Sequence, residues 1–150
     1  MINESESLDG LIVQWAKARK LDTADPARQF LKVIEEFYEI FDPNNTSELT
    51  IDAIGDYHIT LIILALQTGC DIEYPEHYIE GFSNVNGRIA AAIARGKSVG
   101  LLIGEAILAN VGMATDINVG YACCIAQAYN EIKDRKGEIR NGVFVKEEDL

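Results

Sequence analysis

The segment Ile59-Thr60-Leu61-Ile62-Ile63-Leu64-Ala65-Leu66 constrains this chain more than any other. It is apolar on nearly every side, and a helix of that kind is stable in water only when it is buried. Asp52 and Asp56 precede it at i, i+4 spacing, and Ile59 and Ile63 continue the same stripe. The pattern predicts a buried helix that carries two carboxylates inward with it. Buried carboxylates need a cation or hydrogen-bond partners. The apolar run is too short for the roughly 20 residues of a membrane span. The later apolar stretch is interrupted by Glu105 and Asn110, so no transmembrane segment is expected.

Boundary signals place this helix third in the chain. Thr46 or Ser47 caps its start, it runs from about Glu48 to Gln67, and Gly69 stops it. Upstream, Leu8, Leu11, Ile12 and Trp15 give the three-and-four spacing of a first helix over Leu8 to Lys20. Asp25-Pro26 is an N-cap followed by proline at the first helical position, and Phe30, Ile34, Phe37 and Phe41 form one face. The second helix is therefore predicted over Pro26 to Phe41, ending in the turn Asp42-Pro43-Asn44-Asn45.

After Pro75 the signals weaken, because Gly81, Gly87, Gly96, Gly100 and Gly104 punctuate the sequence, and one broken helix or two short ones fit. A last helix is predicted from Thr115 or Asp116 to Arg135, with Gly137 at its end. The tail from Glu138 to Leu150 holds Gly-Val-Phe-Val, a short strand or an arm. The fold class is all-α, a bundle of four to five helices with a short C-terminal extended arm. At 150 residues the chain has the length of one domain.

The charge balance excludes some partners. Thirteen Lys and Arg against 24 Asp and Glu give a net charge of −11, which argues against nucleic acid and against anionic membrane surfaces. A small anionic ligand would need a divalent metal or a local basic segment. The acidic, polar start Met-Ile-Asn-Glu-Ser-Glu-Ser is unlike a secretory signal, so a cytoplasmic protein is expected. Cys70, Cys123 and Cys124 form no CxxC pair and read as reduced helical cysteines.

Glu35, Glu36 and Glu39 form an E-E-x-x-E cluster on the second helix, with Glu39 beside both of the others. Alone, such a triplet reads as a solvated face, and Lys32 pairs with Glu36 on it. The carboxylates of the third helix change that reading, because acids on neighbouring helices can converge. Hard oxygen ligands suit Mg²⁺ or Mn²⁺ and leave coordination positions for phosphate oxygens. A di-iron bundle would need Glu-x-x-His motifs, which His58 and His77 do not complete, so both read as ordinary surface or partly buried histidines. The densest cationic segment, Lys133 to Lys136 with Arg140 beyond it, reads either as a helix C-terminus favoured by the dipole or as a phosphate grip.

These residues resemble the MazG-like, all-α nucleoside triphosphate pyrophosphohydrolases of bacterial or phage type. Leu31-Lys32-Val33-Ile34-Glu35-Glu36-Phe37-Tyr38-Glu39 is similar to the family's E-E-x-x-E helix with its preceding lysine. Asp52-Ala53-Ile54-Gly55-Asp56 resembles the second acidic motif, E-x-x-D, often with a small residue before the last Asp. Ala128 to Gly137 and Asn141 to Lys146 are similar to the C-terminal end of many members. Two departures stand out: Ala53 occupies the first acidic position, so that role passes to Asp52, and residues 71 to 129 form a longer connection than in compact members.

The resemblance implies a bundle of the all-α NTP pyrophosphatase type that hydrolyses an NTP or dNTP to the monophosphate and pyrophosphate. It implies Glu36, Glu39, Asp52 and Asp56 as ligands of Mg²⁺, or of Mn²⁺, with Glu35 as a further ligand or the base that orients water. Lys32, Lys133, Arg135 and Lys136 are the phosphate candidates, and Asn130 is a candidate for the sugar or base. Gln14, Trp15 and Arg19 offer an aromatic surface for the base, although Trp15 also fits the apolar face of its helix. A homodimer or homotetramer is expected, because the third helix exposes more apolar surface than four or five helices cover. The alternatives are a non-catalytic nucleotide-binding or regulatory protein on the same scaffold and, lower in rank, a phosphoribosyl-ATP pyrophosphohydrolase.

Overall fold

The computed structural model describes residues 4–77 and 81–150. Six α-helices and one small hairpin appear among them: α1 (Glu4–Ala18), α2 (Pro26–Ile40), α3 (Ser47–Thr68), α4 (Val85–Ala94), α5 (Gly100–Asp116), α6 (Tyr121–Ile132), β1 (Gly137–Arg140) and β2 (Val143–Lys146). The fold is all-α, with one helix more than the upper expectation.

Local chemistry sets the frame around α3. Asp25 caps α2 by accepting from the Ala27 amide at 3.0 Å, and Thr46 caps α3 by accepting from the Leu49 amide at 3.2 Å. Gly69, at φ 68°, ends α3 in the left-handed conformation that an L side chain resists. α3 packs against α1, α2, α5 and α6, and its residues Ile54, Tyr57, Leu61 and Leu64 are fully buried. Each such side chain contributes roughly 1.5–3 kcal/mol by leaving water. By length and apolar content α3 could cross a bilayer, unlike the short run seen in sequence, but the other helices bury it as the central element of the bundle.

Close approaches explain the glycine-rich region. Gly100 and Gly104 do not break a helix: both lie within α5, and a Cβ on either would strike the backbone carbonyl of Asp71 or Glu73 in the extended segment before α4. The Glu73 amide donates to the Gly100 carbonyl at 3.2 Å across that contact. Gly55 does the same for α3 and α6, since a Cβ there would lie 2.7 Å from the Ala128 Cβ and closer still to the Cys124 carbonyl.

The last helix differs from its predicted start. Thr115 and Asp116 end α5 rather than begin α6, Asn118 turns the chain at φ 61°, and α6 begins at Tyr121 after Gly120. It ends at Ile132, short of Arg135. Beyond it, the arm is an antiparallel hairpin that pairs Gly137 with Lys146 and Arg140 with Val143. Its two-residue turn is Asn141-Gly142, with φ of 52° and 79°, the pairing that suits a twisted hairpin.

His58 corrects another expectation. It is 3% exposed and sits in a buried polar chain joining four helices. Asn110 Nδ2 donates to the Ile54 carbonyl at 2.9 Å and to the Tyr121 hydroxyl at 3.1 Å. The Tyr121 hydroxyl and His58 Nδ1 are 2.8 Å apart, and His58 Nε2 is 2.8 Å from an Asp9 carboxylate oxygen. The bonds along the chain are consistent when Tyr121 donates to Nδ1 and Nε2–H donates to Asp9, while the buried Asn110 Oδ1 accepts none among the described residues. The three cysteines are free, but Cys70 lies in the segment after α3, not in a helix.

Candidate active site

The acidic residues converge where α2, α3 and α6 meet. Glu35 and Glu36 are adjacent on α2 with Glu39 one turn further on, and one carboxylate oxygen of each lies within 4.8 Å of those of the other two. Glu35 and Glu39 are exposed, whereas Glu36 is half-buried and turned toward Asp56 of α3. Burial pushes the Glu36 carboxyl up to about 8, and the charges of Asp56 and Glu39, a hydrogen bond to Glu39 and the charge of Glu35 all push the same way. Burial likewise raises Asp56 to about 7, reinforced by Glu131, Asp52 and Glu39 and opposed by Arg135. Gly55 makes this meeting possible, because a side chain there would hold α6, and with it Glu131, away from Asp56.

Glu36 and Asp56 line a cavity of about 160 Å³ together with Lys32, Glu131 and Arg135. Its apolar side is formed by Trp15, Leu21, Ile59, Ile63, Ile132 and Phe144. Trp15 is held in place from several directions. Its indole N–H donates to the Ile132 carbonyl at 2.9 Å, the Arg19 guanidinium lies 4.4 Å from its ring centre, and Phe144 of the hairpin meets it edge-on at 5.8 Å. Arg19, just past the end of α1, also donates from Nε to the Arg135 carbonyl at 2.8 Å, which ties that turn to the segment after α6.

The predicted residues separate into two groups. Trp15, Lys32, Glu36, Asp56 and Arg135 line the cavity, with Glu35 and Glu39 clustered around Glu36. Asp52 does not line it: its carboxylate accepts a hydrogen bond from Gln127 Nε2, although its charge still reaches Asp56. Asn130, Lys133 and Lys136 are exposed and outside the cavity lining, as is Gln14. Sequence reasoning missed Glu131, which was passed over as part of a basic segment, and Gln29, which precedes Lys32 by three residues and Glu36 by seven on one face of α2.

The donor set fits a hard divalent cation. One oxygen of Glu36 is buried without a hydrogen-bond partner, and the surrounding carboxylates repel one another in the absence of a positive charge. Glu36, Glu39 and Asp56 are the residues that would hold Mg²⁺ or Mn²⁺, with Glu35 and Glu131 beside them. Fold and site together describe an all-α protein with an acid-lined cavity whose apolar side includes Phe144 of the C-terminal hairpin. Comparison with family models, curated proteins and solved structures finds no match to this chain.

Proposed function

We propose that this chain is a Mg²⁺- or Mn²⁺-dependent nucleoside triphosphate pyrophosphohydrolase on a MazG-like, all-α NTP pyrophosphatase bundle, acting in nucleotide metabolism in the cytoplasm. The observation that carries the reading is the unpartnered, buried oxygen of Glu36, set among Glu39 and Asp56 beside a cavity that also presents Lys32 and Arg135. The metal, once bound, supplies charge neutralisation at the bridging and leaving oxygens of the phosphoanhydride. Lys32 and Arg135 pair with the phosphate oxygens left uncovered. Glu35 serves as a further ligand or takes the proton of the attacking water. The water oxygen bonds to the α-phosphorus as the α–β anhydride P–O bond breaks, the electron pair of that bond leaving on pyrophosphate and the water proton passing to Glu35 or to solvent.

Oligomerisation enters on a different observation from the one used in sequence. The chain itself buries α3, but the outer face of α2 exposes Leu31, Tyr38 and Phe41. A homodimer or homotetramer covers that stripe, and light scattering reporting a monomer at working concentration would oppose it.

One observation favours a second reading, a non-catalytic nucleotide-binding or regulatory protein on the same scaffold: Asp52 is taken by Gln127 and stands apart from the acidic cluster. Glu36→Gln separates the two. Under the enzymatic reading it abolishes EDTA-sensitive release of pyrophosphate, and retention of wild-type function by that variant would favour the second.

A further inference from the structure

Glu131 lies on α6 one turn past Ala128, whose Cβ a side chain at Gly55 would strike, so it belongs to the side of α6 that packs on α3. It lines the cavity with Glu36 and Asp56, and of the charges acting on Asp56 its own is the largest. An ion pair is the ordinary fate of such a glutamate, and Lys32 and Arg135 line the same cavity, Arg135 at i+4. Neither takes it: Glu131 forms no ion pair or hydrogen bond among the described residues.

The third helix leaves room for a donor from α6. Ala53 is buried and carries no acid, and Asp52 turns away to accept from Gln127 Nε2. Gln127 is one turn before Glu131, so neighbouring turns of α6 treat the two aspartates differently: Asp52 receives a hydrogen bond, and Asp56 receives a second carboxylate in its cavity. Three carboxylates in one cavity repel one another until a cation lies among them. Gln29 points to the same cation independently. It is 5% exposed, lines the cavity and donates from Nε2 to the Thr60 carbonyl at 3.2 Å, while its Oε1 has no partner among the described residues. That oxygen can only accept, so it calls for a cation or for a donor such as a metal-bound water.

We infer that Glu131 is a ligand of the divalent cation at this site, supplying from α6 the carboxylate that Asp52 does not supply from α3. The cation is then held from three helices, by Glu36 and Glu39 of α2, Asp56 of α3 and Glu131 of α6. This rests on the metal-site part of the proposed function, so the test reads metal binding rather than turnover. Asp52 provides the matched control, because its charge also reaches Asp56 from outside the cavity.

Calorimetric titration of the full chain with Mn²⁺ should show affinity at least about tenfold lower in Glu131→Gln, and within about twofold of wild type in Asp52→Asn. Glu131 is exposed, so its substitution leaves the fold intact by far-UV circular dichroism. Water-proton relaxation separates a ligand from a distant charge: with Mn²⁺ saturating, Glu131→Gln should admit about one more exchanging water to the ion, and Asp52→Asn none. Unchanged affinity or relaxation in Glu131→Gln, or an equal loss in Asp52→Asn, would overturn the inference, and abolished binding in Glu36→Gln would show that the metal site itself stands. No Mn²⁺ binding by the wild type would overturn both. Binding that depends on Glu131, in a chain that releases pyrophosphate from no nucleotide, would support the inference and overturn only the enzymatic reading.

Discussion

Asp56→Asn should make the metal-free protein more stable while destroying its response to metal. The folded protein raises the Asp56 carboxyl from 3.8 to about 7, through burial first and then through Glu131, Asp52 and Glu39. Each pKa unit corresponds to about 1.4 kcal/mol, which sets a ceiling of about 4 kcal/mol on the cost of ionising it. Solvent screening at this partly open site and the repulsion shared with Glu36 reduce that to about 2 kcal/mol. The sign is fixed by proton binding. Between the unfolded and folded pKa values the folded state holds more protons, so this contribution to stability is full below about pH 4 and is lost as pH rises through 7.

At pH 8 Asn removes the charge and should raise the metal-free Tm by about 4–8 °C, at roughly 2–4 °C per kcal/mol for a chain of this size. Magnesium should raise the Tm of the wild type and leave the variant unmoved. Differential scanning fluorimetry at pH 5 and pH 8, with Mg²⁺ and with EDTA, reads all four conditions. A variant less stable than wild type in EDTA at pH 8, or an equal magnesium shift in both proteins, would refute the reasoning.

Three further outcomes follow from particular contacts. Glu36→Gln should lower turnover at least 100-fold with the far-UV spectrum unchanged, measured by pyrophosphate release, because it removes the half-buried carboxylate at the centre of the cluster. Gly55→Ala should cost about 1–3 kcal/mol in urea unfolding, since the added Cβ meets the Cys124 carbonyl and the Ala128 Cβ. It should also weaken metal binding, by moving α6 away from Asp56. Tyr121→Phe should cost about 1–3 kcal/mol by leaving His58 Nδ1 without its donor, while metal affinity by calorimetry stays within about twofold.

The parts of the fold written in local chemistry were legible in the sequence. Asp25-Pro26, Thr46 and Gly69 bound α2 and α3 as their side chains and backbone require. The convergence of the E-E-x-x-E helix on Asp56 was legible too, because Asp56 lies on the stripe that Ile59 and Ile63 continue into the buried part of α3. What escaped was set by tertiary contact. Gly100 and Gly104 resembled helix breaks, because a glycine inside a helix is unfavourable locally, yet they are the surface against which residues 71–74 pack.

Thr115-Asp116 resembled a cap, but Ala114 is buried on α5 and the turn waits for Asn118. Asp52 has the same chemistry as Asp56 and only a different angular position, which hands it to Gln127. The Asn141-Gly142 turn carried a readable hairpin signal, whereas the four residues of β1 were too short to show alternation. His58 gave no local sign of its burial, since its partners Asp9 and Tyr121 lie 49 and 63 residues away.

The central claim is best tested by pyrophosphate release from the common NTPs and dNTPs, with Mg²⁺, with Mn²⁺ and with EDTA, using the wild-type chain beside Glu36→Gln. The account predicts metal-dependent conversion of at least one nucleotide to its monophosphate and pyrophosphate, abolished by EDTA and by the substitution. Folded protein that binds metal yet turns over none of them would contradict it, as would turnover that survives in Glu36→Gln.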